Sequence, residues 1–301
     1  MHYFIFPEKD TTIFEASSSL NSGLDEVLEI RKNVSDTGAS VDVSRILIKF
    51  DTTFFQEASS SGLIPQTGSR AAKYYLNLYD ANPKALAASQ SLYAYAISGS
   101  WDMGTGRSYD NPQTSDGCSW KYRYSETNGT LWASGSGAED GAGGVWYSSS
   151  VAPAASASLN HQSTDLKIDV TGTVNKWLNG NVINDGFLVK RSGSVGNNHP
   201  SASEGNTDRL GSFSFFSSNT NTIFPPTLEA VWDDSSWTTG SLDALTSANL
   251  EDSVVYMKGL RPEYKENSRA RFRVVGRERF PSTTYSTTPA GLTIKYLPSG
   301  S

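Results

Sequence analysis

Apolar and polar residues alternate in short stretches along most of the chain. A period of two sends one set of side chains into a core and the other toward solvent, the pattern of a half-buried strand. Over residues 27–32, Leu28 and Ile30 share one face, and Glu29 and Arg31 the other. Over 45–51, Ile46, Ile48 and Phe50 oppose Arg45, Leu47 and Lys49. Residues 74–79 and 92–97 are rich in aromatic side chains, which suit a pleated surface. Further strands are predicted over 166–170, 186–190, 213–216 and 228–232. Each is bounded by Gly, Ser, Asn or Pro and is too short for an ordinary helix, so the pattern predicts a β-sandwich.

One helix is predicted over 171–178. There Val174, Trp177 and Leu178 fall at i, i+3 and i+4, and Asn179-Gly180 supplies a stop. A long Gly- and Ser-rich region runs from 99 to 158 and holds Trp101, Trp120, Trp132 and Trp146. A loop of that length needs internal packing or a function. Its tryptophans predict ordered excursions that fold back on the sandwich. A second such loop runs from 193 to 207. Near Asp233 the character changes, and residues 233–301 read as a separate small β domain with strands over 254–258, 270–276 and 292–296.

Charge narrows the function. With 31 acidic and 25 basic residues the net charge is −6, a poor match to phosphate backbones. No run approaches the roughly 18 apolar residues of a membrane helix. Residues 1–10 lack the basic start and apolar stretch of a signal peptide. Cys118 is the single cysteine, which excludes an intrachain disulfide and reads as a buried or incidental thiol. Abundant Gly, Ser, Thr, Asn, Tyr and Trp suit a surface-exposed β module. Such a module without a leader is expected if the chain leaves the cell inside an assembled particle, or if it is an excised fragment.

Several segments resemble the DNRLRE family of jelly-roll-like β-sandwich modules. They are residues 10–14, 44–51 and 101–106, the helix-then-strand passage through 169–177 and 184–190, and the closing segments 216–218 and 226–230. The resemblance spans about residues 1–232. It implies modules of cell-surface proteins, with relatives that bind polysaccharide. Residues 1–10, 269–280 and 295–299 resemble virion structural proteins of contractile-tailed marine phages. Where the DNRLRE pattern has a tidy loop after the first tryptophan, this chain carries the long Trp- and Gly-rich insertion.

Candidate chemistry is sparse. His2, His161 and His199 are too scattered for zinc spacing. Asp102, Asp110, Asp116, Glu139 and Asp140 make oxygen-rich loops that suit calcium, but no EF-hand spacing is present, and turn caps are the simpler expectation. No Gly-x-Ser-x-Gly elbow sits in a strand-turn-helix setting, and an enzyme is not expected. Trp101, Trp120, Trp132 and Trp146 are either a sugar-stacking platform or staples that hold long loops to the sandwich. In the small domain, Arg269, Arg271, Arg273, Arg277 and Arg279 form the sharpest charge feature. In one strand, Arg269, Arg271 and Arg273 would line one face, as a solvated surface or as a docking face for carboxylates.

The sequence therefore predicts an all-β chain. A jelly-roll-like β-sandwich (1–232) precedes a small immunoglobulin-like β domain (233–301). The expected function is structural: a virion component in a tail, baseplate or neck, with no cofactor. It would dock to other virion proteins or to copies of itself, not to nucleic acid or membrane. The alternative is a carbohydrate-binding or adhesion module that contacts a host-surface glycan.

Overall fold

The computed structural model describes residues 1–38, 41–68, 70–82, 89–125, 129–132, 142–160, 164–192, 204, 206–233, 253–266 and 269–279. The chain divides into two compact units, Met1–Asp234 and Ser235–Ser301.

The larger unit is a jelly-roll-like β-sandwich of antiparallel strands. Its strands are β1 (His2–Ile5), β2 (Pro7–Phe14), β3 (Val27–Val34), β4 (Val41–Phe50), β5 (Lys73–Leu78), β6 (Ser89–Ala96), β7 (Ala155–Asn160), β8 (Leu166–Asp169), β9 (Phe187–Lys190), β10 (Gly211–Phe216) and β11 (Thr227–Val231). One sheet has the order β1-β11-β5-β8. The other has seven strands in the order β10-β3-β4-β9-β6-β7, with β2 pairing to β4. Strand β4 splits its length between partners: Val41–Val43 face β3, whereas Ser44–Phe50 face β2.

Between the sheets lies the main core. The seven-stranded sheet contributes Leu28, Ile30, Ile46, Ile48 and Phe50, and the four-stranded sheet contributes Tyr74, Leu76 and Leu228. Helix α2 (Thr171–Leu178) buries Val174 and Trp177, and the Trp177 ring lies 4.6 Å from that of Phe187. Gly180, at φ +68°, lies just past its end, in the left-handed region that glycine enters without penalty. A second helix, α1 (Thr53–Ser60), was not anticipated. It buries only Phe55 and Ala58, and the Asp51 carboxylate accepts the Thr53 N–H and hydroxyl at its start. Phe54, Phe55 and Ala58 are too few in two turns to print a helical period on the sequence.

The seven-stranded sheet is buried on both faces. Leu47 and Leu188 point away from the main core into a second cluster, with Ile13, Val43, Ile97 and the four tryptophans. This layer is built by the Gly- and Ser-rich excursion. Every residue of β9 is buried as a result, as in sheets covered on both sides.

In the smaller unit, the described strands are β12 (Ser253–Lys258) and β13 (Arg273–Glu278), an antiparallel pair in register from Ser253↔Glu278 to Lys258↔Arg273. The expected strand over 292–296 lies outside the described residues.

Candidate functional site

The outer layer shows what the four tryptophans do. Trp101, Trp120, Trp132 and Trp146 are between 1 and 7% exposed, so they are core rather than an open platform. The Trp101 indole N–H donates to the Asp185 carbonyl at 2.9 Å, and Lys9 stands over the ring. The Trp132 N–H donates to the Ser119 carbonyl at 2.9 Å. The Arg45 guanidinium lies 4.7 Å from the Trp120 ring centre, and the Lys190 ammonium 4.9 Å from that of Trp146. Indoles satisfied in this way fasten loops to a sheet. Cys118 lies in the same layer, and burial pushes its thiol well above the ordinary range, against thiolate chemistry.

Under the layer sits a buried ionic cluster, of which the alternation pattern set only Arg45 on the face opposite the core. Glu204 accepts from Arg45 at 2.8 Å and from Lys190 at 3.3 Å, with all three side chains at most 2% exposed. Arg45 also donates to the Gly143 carbonyl at 2.7 Å. Next to it, Arg191 donates to Gln90 and to the Gly211 carbonyl, and burial draws its pKa down to about 10, which leaves it charged near neutral pH. Glu204 is engaged by two cations and serves to fix the layer. Arg45 and Lys190, each a cation within an apolar strand, are the signs of this in the sequence.

Of the loop acids, Asp110 and Asp116 act as turn caps. Asp116 accepts the Thr105 N–H and hydroxyl, and Asp110 accepts the Arg107 N–H. Asp102 is exposed. Among the described residues no group of three metal-ligating side chains converges. Glu139, Asp140, His161 and His199 lie outside those residues, and His2 pairs with Glu229 at 2.7 Å.

Two surface clefts are formed by described residues. The first, of about 390 Å3, opens on the sandwich between the start of β3 and the loop near Tyr109. Asp25, Glu26 and Glu29 line it with Arg31, and the Arg31 guanidinium covers the Phe14 ring at 4.7 Å. Glu26 lies 3.6 Å from Arg107, and Glu29 lies 3.9 Å from Arg31. Burial raises the Asp25 pKa against the Ser108 N–H that it accepts. Tyr109 is 71% exposed at the rim.

The second cleft, of about 500 Å3, lies within the smaller unit and is lined by Arg261, Lys265, Arg269 and Arg271, with Glu263 and Tyr264. The Tyr264 ring packs against Phe272 at 5.6 Å, and its hydroxyl accepts the Arg261 N–H at 2.8 Å. The five candidate arginines are thus divided. Arg269 and Arg271 join Arg261 and Lys265 in the cleft and precede the strand, so they do not extend the face of Arg273. The register explains this. Arg273 pairs with Lys258, the last residue of β12, and Gly259 at φ +82° then turns the partner chain away. Arg273 and Arg277 share a face of β13, and Arg279 follows its end.

The chain matches no family model, and no curated protein matches it. Among the described residues, no helix is long and apolar enough to cross a membrane.

Proposed function

We propose that this chain is a structural component of a phage virion, in the tail, baseplate or neck, and that it works by docking to other protein surfaces. The observation that carries the docking is the exposed basic cleft of the smaller unit, lined by four cations and one glutamate. Planar guanidinium forks pair with carboxylates in two parallel hydrogen bonds, which suits such a cleft to a protein contact. In this reading the smaller unit is an immunoglobulin-like docking module on a DNRLRE-like sandwich. The resemblance of residues 1–10, 269–280 and 295–299 to phage virion proteins supports the setting.

The competing reading is a carbohydrate-binding or adhesion module. Its expected platform of four indoles is buried, so it rests on the Tyr109 cleft instead. The two readings part in one experiment. The purified chain is sized alone, with particles from a lysate of its source, and with soluble polysaccharide. Entry into a megadalton particle that falls on Arg269→Glu/Arg271→Glu substitution is expected. A chain that ignores particles and is retarded by polysaccharide overturns the proposal.

A further inference from the structure

The charge of the chain is divided between its two units. Residues 235–301 carry nine Lys and Arg against six Asp and Glu, a net of +3, and residues 1–234 carry the balance, −9. The basic residues of the smaller unit are gathered rather than scattered, since Arg261, Lys265, Arg269 and Arg271 line one cleft. On the sandwich, Asp25, Glu26 and Glu29 line a cleft of similar size, with Arg31 as the one cation among its lining residues. The ion pairs already formed there are loose. Arg107 and Arg31 stand 3.6 and 3.9 Å from Glu26 and Glu29, too far for a tight bidentate fork.

From this complementarity we infer that the basic cleft of one copy takes the carboxylates of the Asp25–Glu29 cleft of a second copy. The inference rests on the docking function above and names its partner as another molecule of the same chain. A contact between two different patches is head-to-tail. It leaves an unused basic cleft at one end of the pair and an unused acidic cleft at the other, so it propagates to a ring or a filament. Repetition makes a modest single contact sufficient. Tyr109 and Tyr264, one at the rim of the acidic cleft and one in the basic cleft, supply apolar area beside the charges.

The test is sedimentation velocity of the full chain at low and high salt. Self-association that weakens with salt is expected. Arg269→Glu/Arg271→Glu and Glu26→Arg/Glu29→Arg should each weaken it about tenfold or more, as like charges then face one another. The chain that carries all four exchanges should recover it. Circular dichroism on each variant checks that it is folded, and the salt dependence of the unaltered chain gives an answer even if a variant is not. A chain that stays monomeric at low salt overturns the inference, as does association indifferent to both pairs of substitutions. Were that monomer still to enter particles in an Arg269- and Arg271-dependent way, the docking function would stand with a different partner. Were it to bind only polysaccharide through the Tyr109 cleft, both would fall.

Discussion

Asp10 and Glu204 are carboxylates buried in one sandwich under opposite conditions. Among the described residues, no cation pairs with Asp10. It accepts the Ser218 N–H at 2.7 Å and the Ser218 hydroxyl at 2.8 Å, and burial still raises its pKa from 3.8 to about 6. The folded state holds that proton more tightly than the unfolded state does. Its contribution to stability is therefore complete below about pH 4 and is lost as the pH rises through about 6, a change of about 3 kcal/mol. Urea unfolding across that range should show stability falling with pH, and Asp10→Asn should flatten the fall. An unchanged slope in the variant would assign it to Glu15, Asp25 and Asp185, which burial raises in the same direction. Glu204, by contrast, lies between two cations. Glu204→Gln leaves Arg45 and Lys190 buried against a neutral amide, and a loss of about 3–5 kcal/mol is expected in the same measurement. A loss below about 1 kcal/mol would mean that water reaches the pair.

The outer layer depends on one residue that joins distant segments. The Asn21 amide donates to the Met103 and Cys118 carbonyls at 2.7 and 2.8 Å, and its oxygen accepts the Gly106 N–H at 2.8 Å. The glycines around it are packed backbone to backbone: a Cβ on Gly117 would lie 2.4 Å from the Gly104 Cα. Asn21→Ala leaves several buried backbone groups unpaired and should cost about 3 kcal/mol. Limited proteolysis should then cut within residues 101–118, and a loop that stays resistant would show that the tryptophans hold it alone. This layer also marks where the sequence stops being legible. Strands β3, β5 and β8 and helix α2 could be read because their order is local, in a period of two or a stripe at i, i+3 and i+4. The excursion could be read as ordered, from its tryptophans, but not in its route, because Asn21 meets its partners across more than eighty residues. Arg45 was misplaced for a related reason. Alternation assumes one dry face, and here a second layer covers the other. Strand β7 was missed because Ala and Ser alternate with too little contrast to mark a face.

At the scale of the chain, both hydrophobic clusters lie within one unit. Among the described residues, the two cores run from Ile13 to Trp232, so the sandwich carries a large apolar burial of its own. Its ends are also tied to each other. β1 pairs with β11 along its length, and the Trp232 carbonyl accepts the Met1 amino group. A unit closed at both ends with a complete core should unfold as one cooperative block. Calorimetry of the full chain should therefore show a main transition that persists at the same Tm in a chain ending at Asp234. Its enthalpy should scale with the 234 residues retained, at about 0.7 kcal/mol per residue near 60 °C. A Tm that falls by more than about 4 °C on truncation would show that the smaller unit braces the sandwich, at a cost of the order of 1–2 kcal/mol when it is removed.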